Sequence, residues 1–128
     1  MTEEPPSIVI VEDDFLIAED LRALCEEFGG RVLDVLDAGE GAAARILELS
    51  PSHVLMDVRL GGARDGIEVA QEVLTASPET RLIFITGSNE PPTIHRIEDS
   101  RPWRLLIKPI APGELREALG LQSRPDLA

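Results

Sequence analysis

"HVLMDVRL", residues 53–60, runs apolar through Val54-Leu55-Met56 and then stops at a carboxylate, Asp57. A continuous apolar run, as opposed to an alternating one, is the pattern of a strand covered on both faces. An acid at its end marks where such a strand leaves the interior. Four further runs have the same character: Ile8-Val9-Ile10-Val11, Val32 to Leu36, Leu82 to Ile85 and Leu105 to Ile107. Asp34 interrupts the second of these, which makes it the candidate edge strand.

Helical patterns fill the spaces between. Ile17, Leu21, Leu24 and Phe28 recur at helical spacing, and Gly29-Gly30 closes that helix. Ala42, Ala43, Ile46, Leu47 and Leu49 form a second stripe, stopped by Pro51. Ile67, Ala70, Val73 and Leu74 form a third that ends near Ser77-Pro78, and Leu115, Ala118 and Leu119 mark the last. The fourth, around Pro92 to Glu98, opens on two prolines and has only Ile94 and Ile97 as apolar anchors, so it is expected to be short or mobile. Strands alternating with helices imply a parallel sheet with right-handed crossovers. Five such units are too few for a closed eight-stranded barrel. The expectation is therefore an open, doubly wound α/β sheet, a flavodoxin-like (βα)5 fold with strand order 2-1-3-4-5. Residues 1–128 read as one domain with a core at about 7–120 and a frayed tail, Gln122 to Ala128.

Composition narrows the function. The formal net charge of −12 sets the surface against phosphate backbones and anionic lipid, so neither nucleic acid nor membrane is expected as a direct partner. The first residues, Met-Thr-Glu-Glu-Pro-Pro-Ser, lack a basic region and lead into no long apolar run, unlike a signal peptide. The single cysteine, Cys25, has no internal disulfide partner, which fits a reducing compartment and a cytoplasmic location.

In open α/β sheets, ligands bind beyond the carboxyl ends of the strands. Glu12-Asp13-Asp14 follows strand one, Asp57 closes strand three, Thr86-Gly87 follows strand four and Lys108-Pro109 follows strand five. With strands one and three adjacent, Asp13 and Asp57 converge. Crowded carboxylates repel and raise one another's pKa. A hard divalent cation relieves this, and Mg²⁺ prefers oxygen ligands while keeping several waters. Asp13 and Asp57 are the candidate carboxylate ligands, with the Arg59 backbone carbonyl, and with Glu12 acting through a metal-bound water. Metal and Lys108 together surround Asp57 with positive charge. That environment suits an incoming phosphoryl group attacked in line by a carboxylate oxygen. The Thr86 hydroxyl is placed to donate to the new phosphate.

These residues resemble the receiver domain of two-component response regulators (the CheY-like family). The resemblance spans essentially the whole chain through "IVIVEDD", "HVLMDVRL", "FITGS" and "LLIKPI". It implies that Asp57 is a phosphoacceptor served by a sensor histidine kinase, with Mg²⁺ as cofactor. It makes Asp13 the direct metal ligand, Glu12 its acidic companion, Thr86 the switch hydroxyl and Lys108 the phosphate-pairing lysine. A cis Lys108-Pro109 bond is implied too. Two departures stand out. Leu105 occupies the position, three residues before the lysine, where the family usually carries Tyr or Phe. The loop from Arg59 to Gly66 is one residue longer than common and lacks the usual proline. With "FITG", this resembles the receiver subfamily whose fourth strand ends Phe-Ala-Thr-Gly-hydrophobic-Tyr, with Ile85, Ser88 and Asn89 as substitutions.

Blander readings compete at each position. Asp57 alone could be a helix cap, Thr86 β-branched filler and Lys108 a surface lysine; their joint placement at strand ends favours the site. Asp14 has the better claim to capping, and a solvated acid is an equal reading of Glu12. The plain reading of Pro109 is a loop proline after a strand. His53 and His95 lack companion ligands. Trp103 reads as packing, Cys25 as a small core hydrophobe, and Gly61, Gly62 and Gly66 as relief of turn strain. A phosphate-cradling loop would need glycines after strand one, where acids stand instead.

With no output domain following the receiver pattern, the chain is expected to signal by conformational change to a protein partner. The expected assembly is a monomer or a weak homodimer through the helix 4–strand 5–helix 5 face. Turnover other than self-phosphorylation and self-dephosphorylation is not expected. A phosphohydrolase of the haloacid-dehalogenase type would want a second Asp two residues after Asp13, where Phe15 stands. A phosphorylation-independent interaction module would keep the fold without the chemistry.

Overall fold

A computed structural model of the chain describes residues 4–60, 64–87 and 90–121. The expectations about Gly61 and Gly62, about Ser88 and Asn89, and about the tail from Gln122 lie outside the described residues. Within them, β1 (Ser7–Val11), β2 (Arg31–Leu36), β3 (His53–Asp57), β4 (Arg81–Thr86) and β5 (Arg104–Ile107) alternate with five helices. The helices are α1 (Phe15–Glu27), α2 (Ala42–Leu49), α3 (Gly66–Ala76), α4 (Pro91–Asp99) and α5 (Pro112–Ala118). The strands pair in parallel in the order β2-β1-β3-β4-β5, as the alternation predicts. None of the helices is long and apolar enough to cross a membrane.

Successive side chains of a strand point to opposite faces, and here both faces are covered. On one face, Val9, Val11, Val54, Met56, Leu82 and Phe84 pack against Ala43 and Ile46 of α2, Ile67, Ala70 and Val73 of α3, and Ile97 of α4. On the other, Ile8, Ile10, Leu55, Ile83, Ile85 and Leu106 meet Leu21 and Cys25 of α1 and Leu115 and Ala118 of α5. This double cover is why the central strands read as unbroken apolar runs. β2 lies at the edge, and none of its residues is fully buried, in keeping with Asp34 in its middle.

The helix boundaries have local causes. The Asp14 carboxylate accepts from the amides of Leu16 and Ile17 at the start of α1. Beyond its end, Gly29 takes φ 94°, the left-handed conformation that glycine adopts without cost. α3 starts with a capping box: Asp65 accepts from the Glu68 amide at 2.9 Å, and Glu68 accepts from the Asp65 amide at 3.1 Å. α4 is a complete helix of nine residues with prolines in its first turn, yet only Ile97 is buried. Ile94, the other expected anchor, is half-buried.

Candidate functional site

The carboxyl ends of β1, β3, β4 and β5 open on one side of the sheet, and backbone hydrogen bonds fix the residues that follow them. The Glu12 amide donates to the Leu36 carbonyl at 2.9 Å, extending the β1–β2 ladder. The Lys108 amide donates to the Thr86 carbonyl at 2.8 Å, which locks the end of β5 to the end of β4. Val58, just past Asp57, donates to Ile85 at 3.3 Å. The Lys108–Pro109 peptide bond is cis, as the family resemblance implies.

These anchors bring Glu12, Asp13 and Asp57 together, with a carboxylate oxygen from each lying within 4.8 Å of the others. Lys108 reaches over them from a position 96 residues away from Glu12 in sequence. Its Nζ lies 3.3 Å from Glu12 Oε1 and 3.6 Å from Asp57 Oδ1. The other Glu12 oxygen accepts from the Asp14 amide at 3.1 Å. Glu12 and Asp57 are 2% and 5% exposed, whereas Asp13 faces solvent. Glu12 is thus not the solvated acid of its blander reading. Arg59, Gly87 and Glu90 help line the cleft of about 510 Å³ above the acids. Thr86, itself buried, stands one residue before Gly87.

Burial governs the electrostatics. Desolvation pushes Glu12 up to about 7; the Asp14 amide opposes this, while the neighbouring Asp57 charge adds to it. Desolvation raises Asp57 as well, against the pull of Lys108 and the Arg59 amide. Glu12 and Asp57 are thus two buried carboxyls that share one lysine as counter-charge. Three converging carboxylates with one lysine for counter-charge make an oxygen-donor set that fits a hard divalent cation.

Other candidates fall as follows. Asp14 is the α1 N-cap, its capping role. Leu105 is half-buried and packs on the α2–α4 face, and Pro109 is exposed. His53 is buried, with Nδ1 2.8 Å from Ser52 Oγ, and burial pushes it down to about 4. His95 is exposed. Cys25 is buried in the α1 face, its thiol pushed up to about 12 by desolvation. Gly66 differs from expectation. Its backbone is not among those with positive φ, so turn strain does not explain it. A Cβ there would run into the Asp57 carbonyl oxygen and sit 2.9 Å from Met56 Cγ. Close approach to Asp57 demands the glycine, and the Gly66 amide donates to the Val58 carbonyl at 2.8 Å. Sequence inspection missed this contact and the wall residue Glu90. The Asp-Gly pair ahead of a helical stripe was the available signal for the first.

Comparison with known proteins gives a consistent result. The chain is 30% identical over 119 residues to the transcriptional regulatory protein PdtaR of Mycobacterium tuberculosis, covering 91% of this chain and 56% of that protein. It is 34% identical over 124 residues to the positive alginate biosynthesis regulatory protein of Pseudomonas aeruginosa, covering 94% and 48%. The chain therefore spans about half the length of the curated relatives it matches. Among solved structures, the signal receiver domain of a modulated diguanylate cyclase from Desulfovibrio desulfuricans is 38% identical, with a TM-score of 0.83 and 91% of each chain covered. A CheY-like receiver domain protein from Methanospirillum hungatei shares the fold, at TM-score 0.82 and 22% identity over 91% of each chain. The response regulator receiver domain pattern matches residues 8–120. With that match running from β1 to just past α5, the chain belongs to the response regulator receiver domain family.

Proposed function

We propose that Asp57 accepts a phosphoryl group from the phosphohistidine of a sensor histidine kinase in a Mg²⁺-dependent reaction. The chain then signals to a protein partner through a change of conformation. The observation that carries this reading is Lys108 Nζ standing 3.6 Å from Asp57 Oδ1 beside three converging carboxylates. Asp13, Asp57 and the Arg59 carbonyl are the residues that would hold Mg²⁺, with Glu12 acting through water. The ion would supply charge to neutralise the phosphoryl oxygens. An Asp57 carboxylate oxygen attacks phosphorus, the P–N bond to the donor imidazole breaks, and the nitrogen leaves with the electron pair. Lys108 shifts from Glu12 toward the phosphate, and the Thr86 hydroxyl donates to it. A cytoplasmic location belongs to the same proposal, as does a monomer or weak homodimer using the α4–β5–α5 face.

The test is intact mass after incubation with Mg²⁺ and acetyl phosphate. A gain of about 80 Da, one phosphoryl group, is expected, and it should be absent in Asp57→Asn and after chelation of the metal. No gain from acetyl phosphate or any kinase would favour the phosphorylation-independent module, a reading to which Leu105 in the usual aromatic position lends support.

A further inference from the structure

Trp103 is the only tryptophan in the chain, and it sits just before β5. In a parallel sheet that places it at the end opposite Asp57. The ring is well fixed: Nε1 donates to the Ala118 carbonyl at 3.1 Å, and the backbone amide donates to Leu82 at 2.7 Å. Despite these ties the residue remains 41% exposed. The guanidinium carbons of Arg81 and Arg104 each lie 4.8 Å from the ring centroid, within cation–π range. Arg104 also donates to the Trp103 carbonyl at 2.9 Å. Two residues earlier, Arg101 takes φ 55°, a left-handed position just past α4 where glycine is favoured.

Two guanidinium groups on one ring concentrate positive charge on an otherwise acidic molecule. The chain carries 24 acids against 12 lysines and arginines. Arg22, Arg45, Arg64, Arg96 and Lys108 each face a carboxylate. Among the described residues, no ion pair involves Arg31, Arg59, Arg81, Arg101, Arg104 or Arg116, and of these Arg81 and Arg104 share one aromatic ring. A molecule rich in acids thus keeps two arginines without acid partners against its one tryptophan. Guanidinium forks bind carboxylates in bidentate fashion, and Trp and Arg are the residue types that dominate binding hot spots.

We propose that Arg81, Trp103 and Arg104 form a docking surface for an acidic peptide segment of a partner protein. Glutamate or aspartate carboxylates pair with the guanidinium groups while the peptide's apolar atoms lie on the exposed indole. The net negative charge of the molecule disfavours an acidic segment where no such cluster of guanidinium groups offsets it. The surface lies at the far end of the sheet from the acid cleft, so it stays open whether or not Asp57 is modified.

The chain has no tyrosine, so its emission on excitation above 290 nm is that of Trp103 alone. A poly-glutamate peptide is titrated into the protein at low salt while that emission is read. The expected result is a saturable change whose midpoint weakens as salt is added. It should also weaken roughly tenfold for each guanidinium lost, in Arg104→Gln and in Arg81→Gln. An unchanged emission overturns the proposal, as does a change that survives in both variants. Equal binding of a DNA duplex would also overturn it, by assigning the patch to phosphates. An emission shift that tracks protein concentration without peptide would overturn it in favour of a second copy of this chain.

Discussion

Gly66 has no side chain because the Asp57 carbonyl already fills the space a Cβ would need. Gly66→Ala must therefore push the loop away from the strand end that holds Asp57. It is expected to lose about 1–3 kcal/mol, as other overpacked sites do, measured by urea unfolding, and to take up phosphoryl groups more slowly by intact mass. Unchanged stability and rate would mean that the loop yields freely. At this scale the sequence was legible wherever chemistry coincided with pattern. Asp57, Glu12 and Lys108 each terminate an apolar run, and the topology rule places such ends together. Gly66 was not legible, because its constraint comes from the path of the intervening loop, which no periodicity records. Glu12's depth was likewise hidden, since a run of three acids reads as surface until Lys108 and the Leu36 carbonyl are seen to enclose it.

Helix α4 is the least anchored of the helices, with Ile97 alone buried. Its other tie is an exposed ion pair, Arg96 to Asp65 at 3.0 Å, and surface pairs of this kind contribute little. Asp65 is the α3 cap, next to Gly66 and hence to the Asp57 backbone. Elements held by few apolar contacts open first. Amides of α4 are accordingly expected to exchange with solvent faster than those of α3. Ile97→Ala, at a cost of about 2–5 kcal/mol, should accelerate α4 while leaving α1 unchanged. Equal acceleration of both helices would show that α4 does not open by itself. The weakness of this helix was readable from its two apolar anchors and its prolines. The Arg96–Asp65 pair was not, since it joins residues 31 positions apart whose charges look like ordinary surface. Leu105 packs on the same face as α4. Phosphorylation is therefore expected to act on α4 without the swing of an aromatic ring.

For the molecule as a whole, two buried groups oppose each other across the acid range. His53 is depressed to about 4, so its contribution is present above its unfolded value of 6.5 and is lost as pH falls toward 4. Glu12 is raised from 4.5 to about 7, so its contribution is present below 4.5 and is lost as pH rises through 7. Each is worth on the order of 3 kcal/mol. Asp57 shifts in the same direction as Glu12. In a chelator the His53 trend is thus opposed by both acids, so stability should not climb between about pH 4.5 and 6.5. Saturating Mg²⁺ stabilises the ionised acids and leaves the His53 trend, so stability should then climb with pH, read as the urea midpoint. A steep climb in chelator would mean that the acids are ionised without metal. At this scale the fold was almost wholly legible, because five buried parallel strands cannot alternate their polarity and so announce themselves. The arginines around Trp103 were not, since they meet only once β4 and β5 are aligned.

Lys108 is the only lysine in the chain, and its side chain is one-quarter exposed between two buried acids. An acyl donor or amine-directed crosslinker that seeks a lysine side chain here has a single target. Acylation there would strip the counter-charge from Glu12 and Asp57 in one step, silencing the cleft without touching any acid in it.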